Sequence, residues 1–264
     1  MSVVQKQATQ QYAETITEIA RLLRQAQRVF VITGAGISAD SGLPTYRGIG
    51  GLYEEDLTED AMPIEEALSG PMLRRAPEIT WKYISQIEAA CRGAKPNIAH
   101  ETLAQMEQVC NGVSVLTQNV DGFHRDAGST DVIEMHGNIH ELHCMQCNYE
   151  IWMQDYTQLQ ALPPRCPECA AMLRPRVVLF GEMLPDAALD QYYKVLGSGI
   201  DMVLSIGTTA VFPYIAAPVA QAARAGIPTV EINPGVSEIS GLVEHHLGER
   251  AAVVLPDIYK AMMG

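Results

Sequence analysis

The chain has 264 residues, with 18 lysines and arginines against 31 aspartates and glutamates and a formal charge of −13. That balance argues against a sequence-independent grip on DNA or RNA, which needs clustered cations to displace counterions, and it favours solubility and encounters with basic peptides. Apolar residues make up 47%, enough for a full core. No apolar run reaches the roughly 20 residues of a membrane span, and the first residues lack a basic segment leading into an apolar block. A cytoplasmic chain with no membrane or nucleic-acid partner is the expectation.

Taken in chain order, Ile16, Ile19, Ala20 and Leu23 share one helical face, which predicts an amphipathic helix over 13–27. The apolar run 28–33 predicts a strand. It feeds Gly34-x-Gly36-x-x-Ala39, a turn of the kind that brings a diphosphate against the backbone. The helix expected after that turn is cut short by Gly42 and Pro44, and Arg47 follows. Residues 49–95 read as helical, with Ile79, Tyr83 and Ile87 at fourfold spacing, and hold no convincing strand. Ala99, Leu103, Met106 and Cys110 mark another helix before a strand at 113–117, and a short apolar run ends in "IEMHGN". Residues 138–180 combine short extended pieces, Pro163-Pro164 and four cysteines. Strands are expected again at 200–206, 227–232 and 251–255.

The alternation predicts an α/β fold: a Rossmann-like parallel sheet domain built from 1–48, 96–137 and 181–264. The two intervals that break the βαβ rhythm predict a smaller lobe, made of a helical insertion at 49–95 and a four-cysteine zinc module at 138–180. Cys144-x-x-Cys147 and Cys166-x-x-Cys169 have the spacing of two zinc knuckles. Four thiolates complete a tetrahedron and leave no position for water or substrate, so one structural zinc is expected. Cys91 and Cys110, single on helical faces, are expected to be core.

A dehydrogenase would carry an acidic residue at the end of a second strand, about 20 positions past the glycines. Glu54 and Glu55 fall near that distance, but no strand precedes them. Polar groups instead gather at three other strand ends, in "TQNVDG" (117–122), "GTT" (207–209) and "EINPG" (231–235). Ligands of open α/β sheets sit outside the carboxyl ends of the strands, so these tips are candidates for one shared cofactor site.

With these residues in place the chain resembles the sirtuins, NAD-dependent protein lysine deacylases. The resemblance runs over nearly the whole length: "GAGISADSGLPTYRG", "PNIAH" (96–100), "TQNVDGFH", "HG" (136–137), the four cysteines, "RPRVVLFGE" (174–182), "GTT" and "INPG". It implies that the segment after the glycine turn closes over NAD, which would explain its interrupted helix. Gly34, Ala35, Gly36 and Ser38 would wrap the diphosphate, with Tyr46 beside the reacting ribose and Arg47 near the phosphates. Gln118, Asn119 and Asp121 would hold the nicotinamide ribose and carboxamide. Gly207, Thr208, Thr209 and Asn233 would reach phosphate or ribose, and the backbone of Ala251 the adenine. His136 would be the general base on the ribose, with Asn119 and Asp121 completing the catalytic set. Of the other histidines, His100 is expected to brace a helix start and His124 the turn after "NVDG".

The resemblance also implies an acylated-lysine peptide laid against Val178, Phe180, Gly181 and Glu182 as an added strand. The products would be nicotinamide, O-acyl-ADP-ribose and free lysine.

Two departures stand out. Tyr46 occupies the place of a phenylalanine in the family. The Tyr-x-x-Arg pair of sirtuins that remove succinyl or malonyl groups is missing, because Gln86 lies three positions after Tyr83. A buried carboxylate would then lack a cation, which points to acetyl or longer neutral acyl groups. An ADP-ribosyltransferase, an acyl-protein binding module and a hydride-transferring dehydrogenase are the rival readings.

Overall fold

The computed structural model describes residues 3–44 and 57–264, with side chains from Thr9 onward. In chain order the elements are α1 (Val3–Gln25), β1 (Val29–Thr33), α2 (Ile64–Ala67), α3 (Gly70–Arg75), α4 (Pro77–Cys91), α5 (Ile98–Val109), β2 (Val113–Thr117), α6 (Phe123–Asp126) and β3 (Val132–Glu134). They continue as β4 (Gly137–Cys144), β5 (Glu150–Trp152), β6 (Leu173–Val177), α7 (Asp186–Gly197), β7 (Met202–Ile206), α8 (Pro213–Arg224), β8 (Thr229–Ile232), β9 (His245–Leu247) and α9 (Ala251–Met263).

Six strands form one sheet in the order β3-β2-β1-β7-β8-β9, every pairing parallel. The chain thus builds outward from β1 on one side, then returns to build on the other. Such a reversal opens a crevice at the carboxyl ends of β1 and its two neighbours, where α/β proteins bind ligands. The central strands β1 and β7 are buried along their whole length, as continuous Val/Ile/Leu runs require when helices cover both faces. On one face α1, α5 and α9 pack through Ile19, Leu23, Leu103, Leu255 and Ile258; on the other Tyr192, Ile215 and Val219 cover Phe30 and Ile32.

A second, three-stranded antiparallel sheet has the order β5-β4-β6. The helices α2 to α4 pack on it in one cluster, with Trp81, Tyr83 and Ile84 against Ile139, Leu142 and Leu179. Beyond that sheet the four cysteines have only a small apolar patch around Leu173.

The run 251–255, expected as a strand, is the first turn of α9. A five-residue apolar run fits either element, and the residues that are buried, Ala251, Val254, Leu255, Ile258 and Met262, recur at helical spacing. The last strand is β9 instead, three residues with one half-buried and one exposed histidine, too short and too polar for periodicity to reveal. Among the described residues no helix is long and apolar enough to cross a membrane.

Candidate active site and zinc centre

At the carboxyl end of β1 the chain makes two short 3-10 turns, Ala35–Ile37 and Ala39–Ser41, in place of a long helix. Gly42 closes the second turn with φ +83, a conformation that favours glycine. The first turn lies directly against the loop leaving β7. A side-chain carbon on Gly36 would come within 2.6 Å of the Gly207 Cα, and one on Gly34 within 2.8 Å of the Gly207 carbonyl and the Thr208 Cβ. The Gly36 amide donates to the Gly207 carbonyl at 2.9 Å. Glycine is required on both sides because backbone meets backbone there.

Around this crossing the polar strand tips form one hydrogen-bonded network. Gln118 Nε2 donates to Thr208 Oγ1 (2.9 Å) and to the Thr33 carbonyl (3.3 Å). Asn119 Nδ2 donates to the Gly34 carbonyl and to Ser38 Oγ, both at 3.1 Å, and Ser38 Oγ donates to Asp121 Oδ2 at 2.7 Å. Burial pushes the Asp121 carboxyl above its ordinary value, opposed by the bonds from Ser38 and the Phe123 amide. Asn233 Nδ2 reaches the Thr208 carbonyl at 3.0 Å, joining β8 to the cluster. Ala35 lies in the first 3-10 turn, Thr209 is exposed beside Thr208, and Ala251 is the buried first residue of α9. Tyr46 and Arg47 lie outside the described residues.

His136 follows β3 and immediately precedes Gly137, the start of β4. Gly137 has φ +77, and an added side-chain carbon would collide with the Arg176 carbonyl, so the ladder bonds of β4 and β6 close against the histidine only through glycine. One imidazole nitrogen, Nδ1, is 2.9 Å from the Gln118 carbonyl, and the other, Nε2, is 2.6 Å from the Tyr214 hydroxyl. A carbonyl only accepts, so Nδ1 carries the proton and Nε2 offers its lone pair. Burial holds the imidazole below its ordinary pKa, with the Gln118 carbonyl pulling the other way, so the ring is neutral at physiological pH and able to accept a proton.

The segment after β6 is tied to His136 by its backbone. The Val178 amide donates to the His136 carbonyl at 2.9 Å, while Phe180 exchanges bonds with Leu68 and Gly70 in the α2–α3 region. The Val178 carbonyl takes no hydrogen bond among the described residues. Gly181 adopts φ +77 and turns the chain so that Glu182 folds back onto Arg174, Nη1 to Oε1 at 2.6 Å and Nη2 to Oε2 at 2.9 Å. Glu182 also accepts from the Leu179 amide, so its oxygens are engaged within the protein. Arg174 and Tyr214 are among the residues here that sequence reasoning passed over. "FPY" directly after "GTTAV", two aromatic rings around a proline at a helix start, was the available signal for the second.

The four cysteine sulfurs lie within 4.8 Å of one another, with Cys144 and Cys169 at 3.4 Å and Cys147 and Cys166 at 3.6 Å. Four sulfurs each about 2.3 Å from one zinc ion stand about 3.8 Å apart, so this set fits a tetrahedral Zn(Cys)4 centre. The amides of Gln146 and Cys147 point to Cys144 Sγ, as the turn of a zinc knuckle provides.

Residues 34–213 match the model of the Sir2 family. The chain belongs to the Sir2 family. Among its relatives is the "NAD-dependent protein deacylase 2" of Pseudomonas aeruginosa, 49% identical over 92% of this chain and 95% of that protein. A second, of the same description, from Pseudomonas syringae pv. tomato, is 51% identical over 91% and 98%. The crystal structure of a Sir2 homolog–NAD complex superimposes with a TM-score of 0.82 at 30% identity, covering 93% of each chain. A Sir2 structure with a deacetylated p53 peptide and 3′-O-acetyl ADP ribose gives 0.80 at 27% identity, covering 92% of this chain and 96% of that one. The polar crevice of this Sir2 chain, glycine turns at its floor and amide, hydroxyl and carboxylate groups at its rim, suits a dinucleotide, and its cysteine cluster suits one zinc.

Proposed function

We propose that the chain removes acyl groups from protein lysines at the expense of NAD, releasing nicotinamide, O-acyl-ADP-ribose and free lysine. The observation that carries this reading is the state of His136: a half-buried, neutral imidazole whose Nδ1–H is fixed by the carbonyl of Gln118, next in sequence to Asn119, leaving Nε2 as the basic atom. When bound, NAD supplies an electron-poor ribose carbon bearing a leaving group. The protein's share is placement and one proton. Gly34, Ala35, Gly36 and Ser38 give the diphosphate a close backbone surface; Thr208, Thr209, Asn233 and the Ala251 backbone line the adenosine side, with Gly207 at the crossing. Gln118, Asn119 and Asp121 orient the nicotinamide half, and His136 takes the proton of a ribose hydroxyl. Bringing the acyl oxygen and the ribose carbon into line is the larger effect, since such chemistry gains most from orientation.

Val178 and Phe180 face the acyl-lysine, with the Val178 carbonyl open to a main-chain bond from the peptide. Gly181 and Glu182 shape that segment. The acyl group is neutral in this reading, acetyl foremost. Tyr83 Oη is bonded to Asp60 at 2.6 Å, and Lys82 Nζ sits between Asp60 (2.9 Å) and Glu59 (3.0 Å), so neither group is positioned to receive an acyl carboxylate. Zinc ties the two knuckles together and takes no part in the reaction.

Mass spectrometry of the products from NAD and acetyl-, octanoyl- and succinyl-lysine peptides tests the proposal. Nicotinamide and O-acyl-ADP-ribose should form in equal amounts, and His136→Ala should slow the reaction about 10²–10⁴-fold with melting and zinc content unchanged. ADP-ribose on protein with the acyl group retained, or a preference for succinyl, would contradict it.

A further inference from the structure

The in-plane lone pair of His136 Nε2 is already in use. Tyr214 Oη lies 2.6 Å away, and because Nδ1 holds the ring proton, the phenol must donate. A base takes a proton only from a group within about 2.6–3.2 Å of its lone pair, and the phenol oxygen fills that position. A substrate hydroxyl must therefore displace Tyr214 or act through it.

Several contacts keep the tyrosine where it is. Its ring is stacked on Phe212, centroids 5.5 Å apart and planes inclined by 15°. Its carbonyl accepts from the buried Tyr192 hydroxyl at 3.0 Å. Pro213 stiffens the first turn of α8 beside it. Phe212 and Tyr214 both meet the His136 ring edge-on, at 5.9 and 6.1 Å, so the imidazole is gripped by the pair.

We propose that Tyr214 is a proton-relay residue, standing between His136 Nε2 and the substrate hydroxyl that loses its proton; the inference rests on the general-base reading above. In the step the substrate O–H bond breaks and its proton goes to the phenol oxygen, while the phenol's own proton passes to Nε2. Tyrosine ends neutral, as it began, and the positive charge ends on the imidazole. The two transfers are concerted, because burial pushes the Tyr214 phenol up to about 12 and a free phenolate is out of reach near neutrality. The imidazolium then has an acceptor for each N–H: the Gln118 carbonyl for Nδ1 and the phenol oxygen for Nε2. Those two groups and the Phe212 ring face His136 from β2 and from the start of α8; among the described residues no charged side chain bonds to it.

The test uses the full-length zinc-loaded enzyme and Tyr214→Phe, which keeps the ring and its stacking and removes the hydroxyl. Single-turnover acyl transfer should fall about tenfold or more, with KM for NAD and for an acetyl-lysine peptide changed by no more than about twofold. An unchanged rate overturns the relay. A faster rate also overturns it and marks the phenol as a cap that substrate removes.

His136→Ala separates the two readings. Near-normal turnover in that variant defeats the general-base assignment itself, whereas an inactive His136→Ala beside a fully active Tyr214→Phe defeats only the relay. Independently of activity, ¹⁵N-histidine NMR of the ligand-free enzyme, with His136 assigned by its loss in His136→Ala, should show Nε2 as an unprotonated, hydrogen-bonded acceptor. That spectrum of the natural protein decides even where the phenylalanine variant fails to fold: a proton on Nε2, or an Nε2 without a hydrogen bond, refutes the proposal.

Discussion

At the scale of single residues, buried polar groups here are held in one state by the hydrogen bonds around them, and that makes them testable. Arg174 is the clearest case. Its guanidinium grips both Glu182 oxygens and also donates to the Val177 carbonyl, on either side of the segment expected to meet the acyl-lysine. Burial alone would raise the Glu182 carboxyl, but the bonds from Arg174 and from the Leu179 amide outweigh it and hold the group below its ordinary value. A carboxyl with a depressed folded pKa contributes stability that is complete above the unfolded value, about 4.3, and is lost as pH falls through the folded one. Arg174→Met should therefore cost about 2–3 kcal/mol at neutral pH, less than for a fully buried pair because Glu182 keeps some exposure. The loss should shrink towards pH 4. Urea denaturation of both proteins across that range measures it; equal stability at neutral pH would show that the ion pair contributes nothing. Peptide KM should rise in the same variant, since the 178–182 segment loses its brace.

At the scale of elements, what could be read from sequence followed the strength of the local pattern. The strands β1, β2, β7 and β8 stand within two residues of the apolar runs that announced them, because strands covered on both faces must be apolar throughout. The four cysteines declared themselves by spacing. His100 does brace a helix start: its Nδ1 accepts from the Asn97 amide while Asn97 caps α5. Conversely, α9 was hidden because a short apolar run has no period of its own, and β9 because an edge strand of two histidines and a leucine owes its form to β8. The Tyr214–His136 bond spans 78 positions, and no local pattern encodes such a meeting.

The zinc knuckles show how little else supports their end of the small sheet, where only Leu173 joins Cys144 and Cys166 in the buried cluster. Metal binding must then supply most of the local stability. A strong chelator should release one zinc per chain and expose four thiols to a thiol reagent. It should also shift tryptophan fluorescence, since both tryptophans, Trp81 and Trp152, belong to the helices and sheet of this lobe. The far-ultraviolet signal of the six-stranded sheet should largely persist. Four unreactive thiols after zinc loss would argue that the cluster is held by packing instead.

At the scale of the whole molecule, the polar crevice rests on a layer of neutral histidines, and this couples the site to global stability. His100 and His124 meet edge-on at 5.0 Å beneath the strand tips, with His124 Nε2 on Thr33 Oγ1 at 2.9 Å. Burial depresses His100 to about 4 and, with His100 as a neighbour, His124 to about 3. Neither can be charged without opening the layer between β1 and α5. Once unfolded, both would titrate near the ordinary imidazole value of about 6.5. As pH falls below that value, the unfolded chain binds protons that the native chain refuses, so stability declines. Each histidine contributes a slope of up to about 1.4 kcal/mol per pH unit until its folded pKa is reached. His136, depressed in the same sense, adds to the decline. Unfolding free energy from urea titrations should therefore be flat above about pH 7.5 and fall steeply between about pH 6.5 and pH 5. His124→Gln, which keeps a polar group for Thr33 but cannot ionise, should make that slope shallower. A wild-type curve that stays level down to pH 5 would mean that these imidazoles are protonated within the fold, and the neutral floor beneath the crevice would have to be abandoned.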